Sequence, residues 1–215
     1  MKYNLKKEIP ILAMVVLPFI YLGYLWNALP EKVPLHWNFK GEIDGWGNKD
    51  QLVLIILVLP VFVYIILQFI PLLDPKKKIE KMGNRFHQIK FLVVLTMSLL
   101  AIFILYTVQN QSGSNMKILF ALIGFLIVGL GNYFPTLKPN YFIGIKTPWT
   151  LESETVWKET HKMGGRLWFF GGVFMILLVL VLPEELSFIV FMSGVALLTI
   201  VPVVFSYSRY KALKG

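Results

Sequence analysis

Apolar residues in this chain come in long unbroken runs. Ile9–Leu29, Leu52–Leu73, Phe91–Val108, Ile118–Phe134, Leu167–Leu182 and Leu186–Ser208 contain no Asp, Glu, Lys, Arg or His. About 20 apolar residues in a helix cross the ~30 Å hydrocarbon core of a bilayer. Backbone groups in lipid must be satisfied within the segment, and a helix does this. The pattern predicts an all-α polytopic membrane protein, with six transmembrane helices in one integral membrane domain, residues 1–215. Polar intervals separate the runs at 30–50, 74–90, 109–116 and 135–166. The short turn Pro183-Glu184-Glu185 predicts that the last two helices form a hairpin. Pro18 predicts a kink in the first helix, and Pro60 and Pro202 are further candidate flexible points. Ala121, Gly124, Gly129 and Gly131 place the fourth run inside the bundle, because small residues let helices approach.

Composition agrees: 56% of the 215 residues are hydrophobic. The formal charge of +9 changes the picture only through its distribution. With a cytoplasmic N-terminus, Lys2, Lys6 and Lys7 lie inside. So do Lys76, Lys77, Lys78, Lys81, Arg85 and Lys90 of the first inner loop, 74–90, and the basic residues of the second, 135–166, and of the tail. All 21 basic residues except Lys32, Lys40, Lys49 and Lys117 then face the cytoplasm. This positive-inside bias puts both termini in the cytoplasm. It also accounts for the charge without a nucleic-acid partner, since the anionic headgroups of membrane lipids are the natural counter-charge. The N-terminal apolar run is long and lacks a small-x-small cleavage site, so it reads as a retained span. Ile79, Met82 and Phe86 fall at helical spacing beside the basic cluster and predict an interfacial helix.

The outer loop, 30–50, holds His36, Trp37 and Trp46 among turn residues, with Asp44-Gly45 as the strongest turn dipeptide. Asn48 and Gln51 resemble a capping box opening the second helix. In the inner interval Asn140–Gly165, Thr147-Pro148 and Thr150 are successive helix-start signals, Thr150 the better one. Trp157 and His161, four apart, share a helix face, and Gly164-Gly165 predict its end. The expected element is a short amphipathic helix, Thr150–Met163. Trp149, Trp157 and Trp168 suit interfacial anchors as well as a site.

Enzyme chemistry finds little support. Without cysteine there are no thiolates, disulfides or Cys metal ligands. HExxH, Walker and dinucleotide glycine patterns do not occur. His36 falls on the opposite side from His87 and His161, so no shared metal site is predicted. The runs lack the intramembrane carboxylates of proton relays. No catalytic residue, cofactor or metal is expected.

Two segments carry a resemblance. Asn140, Gly144-Ile145-Lys146-Thr147-Pro148-Trp149-Thr150-Leu151, Ser153, Val156-Trp157 and Thr160-His161 resemble the signature of the SdpI family. Leu29-Pro30, Val33-Pro34, His36-Trp37-Asn38, Gly41 and Asp44-Gly45 resemble the domain of unknown function that precedes it in that family. Lys146 stands where the family usually has Arg, keeping the charge without the bidentate fork. The resemblance implies a multispanning protein of the bacterial cytoplasmic membrane that gives immunity to a secreted antimicrobial peptide toxin. In the best-known system it also implies signalling, by capture of a cytosolic transcriptional repressor. His36, Trp37, Asn38, Gly41, Asp44 and Gly45 would then meet the toxin. Asn140, Gly144, Lys146, Thr147, Pro148, Trp149, Thr150, Trp157 and His161 would respond inside. The alternatives are a lipid- or peptide-handling transporter or enzyme, with a polar cavity lined by Asn132, Gln68 or hydroxyls, and a membrane-anchored scaffold.

Overall fold

The computed structural model describes residues 5–75, 77–111 and 115–214. Lys2, Lys76 and part of the 109–116 connection, named above, lie outside them. Six helices are long and apolar enough to cross a membrane. They are α1 (Leu5–Leu25), a continuous helix from α2 (Gln51–Ile56) to α3 (Val63–Leu73), α4 (Asn84–Asn110), α5 (Met116–Tyr133), α7 (Glu154–Val181) and α8 (Glu184–Lys214). The short α6 (Pro148–Glu152) precedes α7. Between α2 and α3 the chain makes a π-helical stretch, Leu57–Phe62, around Pro60. Pro60 has no N–H to continue the ladder, and a wider turn absorbs the fault. Large apolar side chains such as Tyr24, Leu72, Phe170 and Val181 are exposed, as lipid-facing positions require. The chain is a multi-pass membrane protein.

Helices α1 to α3 pack on α4, α5 packs on α4 and α7, and α8 covers α7. The α5–α7 contact is backbone to backbone. A Cβ on Gly131 would sit 2.7 Å from the Phe169 nitrogen, and one on Gly165 2.8 Å from the Gly131 carbonyl oxygen. This corrects the expectation that Gly164-Gly165 ends a helix. The two glycines lie inside α7 and are used for close approach.

The helix starts also differ from expectation. Thr147, not Thr150, caps α6: its hydroxyl accepts from the Thr150 N–H, while Thr150 Oγ1 accepts from the Thr147 N–H. Ser153 then caps α7. The expected inner helix is therefore the first part of the fifth span. Ile79, Met82 and Phe86 do not form an exposed apolar helix face either. They are buried in one cluster with Ile89, Leu137 and Trp157. Their helical spacing served a docked loop, a 3-10 turn at Glu80–Met82 before α4.

Charge also enters the bundle. Glu8 of α1 is 3% exposed and Lys90 of α4 is 1% exposed. Lys90 donates to Glu8 Oε1 at 2.6 Å and to Gln68 Oε1 at 2.8 Å. The Tyr64 hydroxyl donates to Glu8 Oε2. Lys90, expected in a wet inner loop, lies inside because α4 begins at Asn84, six residues before it. A buried charge is tolerated when it is paired and hydrogen-bonded.

Candidate functional site

At one end of the bundle the 30–50 loop folds into a β-hairpin of β1 (Lys32–Trp37) and β2 (Ile43–Asn48). Strands in this loop were not expected. Lys32 pairs with Asn48, Val33 with Gly47 and Trp37 with Ile43. The turn lies at Asn38–Glu42, and Asp44-Gly45, expected to form it, lies within β2. The Asn38 side chain makes this turn by accepting from the Lys40 and Glu42 N–H groups. Gly41 supplies the left-handed residue, φ 77°. Gly45 sits under His36 at an irregularity in the pairing, where a Cβ would come 2.8 Å from His36 Cβ. The predicted capping box does not open α2: the N-cap is Asp50, without a side-chain cap hydrogen bond, and the Gln51 side chain instead accepts from the N–H of Asn48 at the end of β2.

Val33 anchors the hairpin in a cluster with Leu29, Leu52, Ala101, Leu105 and Val108. His36 faces away and is exposed, with Nδ1 2.5 Å from Asp44 Oδ1. Beside it Trp37 leans over the end of α4. Its Nε1–H is buried without a hydrogen-bond partner among the described residues. A cleft of about 220 Å³ opens there, lined by Leu35, His36, Trp37, Ile104 and Thr107 among others. The hairpin thus offers an exposed imidazole–carboxylate pair, an unused indole donor and an apolar recess.

At the other end, residues 137–153 form a compact knot on α7 and α8. Asn140, 3% exposed, organises its start. Its Oδ1 accepts from the Phe142 and Ile143 N–H groups, and its Nδ2 donates to the Lys138 and Ile143 carbonyls. Gly144 follows at φ 118°, where a Cβ would lie 2.4 Å from His161 Nε2. The Ile145 N–H donates to that nitrogen at 2.9 Å, and His161 Nδ1 donates to the Trp157 carbonyl at 2.8 Å. One ring nitrogen accepts and the other donates, which defines a neutral imidazole with its proton on Nδ1. Trp157 stacks on His161 with centroids 4.0 Å apart and donates from Nε1 to the Leu137 carbonyl. Trp157 and His161 are 0% and 1% exposed, so they are core residues and not interfacial anchors.

Three ties from this segment reach α8. The Thr147 and Ser206 hydroxyls meet at 3.0 Å, and Trp149 packs against Tyr207. Glu152 accepts from Lys214, and hydrogen bonds from Tyr210 and Lys214 hold its carboxyl below the usual range. Lys146 Nζ donates to the Phe142 and Tyr141 carbonyls, so it closes the loop on itself. Lys146 and Pro148 are exposed, whereas Asn140, Thr147, Thr150, Trp157 and His161 are buried.

The structure brings the residues of the 140–161 segment together with one another and the hairpin residues with one another, at opposite ends of α4. Sequence reasoning missed Glu8, Tyr64, Lys90 and Ser206. Gln68, considered as a cavity residue, is held by Lys90. Asn132 lines a cleft of about 440 Å³ with His87, Gln88 and Phe125. Among the described residues no group of His, Asp or Glu could hold a metal ion.

Residues 136–206, which include the whole knot, match the SdpI/YfhL protein family. Residues 13–64, which include the hairpin, match a domain of unknown function, DUF1648. The immunity protein SdpI of Bacillus subtilis (strain 168) is 29% identical over 221 residues, covering 98% of this chain and 99% of that protein. No solved structure matches. Both segments are matched in the same order along the chain, and the similarity to that relative runs from end to end.

Proposed function

We propose that the protein is an immunity protein of the bacterial cytoplasmic membrane that protects the cell from a secreted peptide toxin. The observation that carries this reading is the end-to-end similarity to the immunity protein SdpI. The charge distribution supports a topology with cytoplasmic termini, an outward hairpin and an inward knot. The hairpin then meets the toxin. Its recess takes an apolar side chain, whose entry turns the otherwise buried Trp37 indole N–H toward a toxin carbonyl, and the exposed His36–Asp44 pair contributes a polar contact.

Signalling by capture of a cytosolic repressor is the finer part of the reading. In that branch the buried knot positions the surface and the exposed Lys146 and Pro148 belong to the contact.

The test is expression in a toxin-sensitive host. Wild type protects, while Trp37→Phe, which keeps the ring and loses the donor, and His36→Ala reduce protection at equal protein level. If both variants protect normally, the hairpin assignment fails. If wild type protects against no secreted peptide toxin, the immunity reading fails.

A further inference from the structure

Where α7 and α8 leave the apolar layer at the knot end, a cleft of about 660 Å³ opens between them. Met163, Leu167 and Phe205 line its apolar part. Lys162, Arg166 and Arg209 surround it with one carboxylate, Glu159. That carboxylate is committed, since its two oxygens accept from Arg209 Nε at 2.6 Å and from Arg209 Nη2 at 3.0 Å. Lys162 and Arg166 stand four residues apart on α7 and are exposed. Neither has a hydrogen-bond or ion-pair partner among the described residues. The cleft therefore carries two uncompensated positive charges beside an apolar floor. Its depth is fixed by the sequence: Arg166 directly precedes the uncharged run Leu167–Leu182, and Arg209 directly follows Leu186–Ser208.

We propose that this cleft binds the headgroup of an anionic phospholipid. The phosphate diester sits between Lys162 and Arg166, and the acyl chains run down Leu167 and Phe205 into the bilayer. A guanidinium presents a planar fork to phosphate, and basic pockets between membrane helices at the headgroup level suit such lipids. An acidic protein segment would find the same charges, but its backbone would meet lipid tails at the cleft floor. Bound here, the lipid bridges the two helices that also hold the loop knot.

The experiment uses the full chain in detergent, with lipid retention read by native mass spectrometry. Phosphatidylglycerol is retained in preference to phosphatidylcholine. Lys162→Gln with Arg166→Gln weakens phosphatidylglycerol binding about tenfold or more. Lys81→Gln with Lys138→Gln removes equal charge from exposed sites at the same end and leaves binding within about twofold. The swap Lys162→Arg with Arg166→Lys keeps the preference. Both cleft side chains are unpartnered, so folding is preserved, and a thermal melt in phosphatidylcholine verifies this. Equal loss in the two Gln pairs, or equal retention of the two lipids, overturns the proposal. Displacement by inorganic phosphate or by a soluble acidic peptide as readily as by lipid also overturns it, the latter assigning the cleft to a protein partner.

Discussion

His161 shows how a residue singled out in the sequence can serve the structure without being reached by a ligand. Its two ring nitrogens satisfy the Ile145 N–H and the Trp157 carbonyl, and its face lies on the Trp157 ring. His161→Phe keeps the volume and the stacking but leaves the Ile145 N–H without its acceptor. A buried donor left in this state costs about 1–3 kcal/mol. The expected outcome is a Tm lower by roughly 2–4 °C per kcal/mol, read by thermal unfolding in detergent. The i,i+4 spacing showed in the sequence that Trp157 and His161 share a face. Their burial did not show, because the groups that cover them, Leu137 and Ile145, come from a loop whose path depends on Asn140 and Gly144. Local periodicity says which residues are neighbours on a helix and says nothing of what lies against them.

Among the elements, α5 and α7 depend most on residues with no side chain. The glycines of α5 marked it as an interior helix in the sequence, but their partner was hidden, since Gly164-Gly165 also carries the signal of a helix end. The hairpin was hidden for a different reason. Pro34 within β1 and the glycines of β2 weaken any strand pattern, yet an isolated two-stranded edge tolerates both. One glycine at the α5–α7 contact and one away from it give contrasting substitutions. Gly131→Ala drives a Cβ into the backbone of α7 and costs about 2–3 kcal/mol. Gly23→Ala in α1 meets nothing within 4 Å and is neutral or stabilising by about 0.5–1 kcal/mol. Thermal unfolding of the two variants side by side checks the pair, and similar shifts would count against a close α5–α7 approach.

For the whole molecule, the Glu8–Lys90 pair ties the first helix to the middle of the bundle. Neither residue carried a signal in the sequence: each sits next to an apolar run among other charges, and its partner is 82 residues away. Gln68 brings α3 into the same network, so three elements meet on one ammonium group. Burying the pair costs desolvation that its attraction only partly offsets. Removing one member is much worse, because the other remains charged in an apolar surrounding. Glu8→Leu should therefore cost about 3–5 kcal/mol, with Lys90→Leu similar. The double variant with both residues as Leu should recover most of that loss, since an apolar pair replaces the ions without stranding either. The cycle is read as Tm in detergent. Additive losses would show that the two residues act separately and would remove the ion pair as the link between α1 and α4. Protection of a toxin-sensitive host by the stable double variant then separates holding the bundle together from any further role of the charges. Retained protection makes them structural, and lost protection at full stability assigns them to the response.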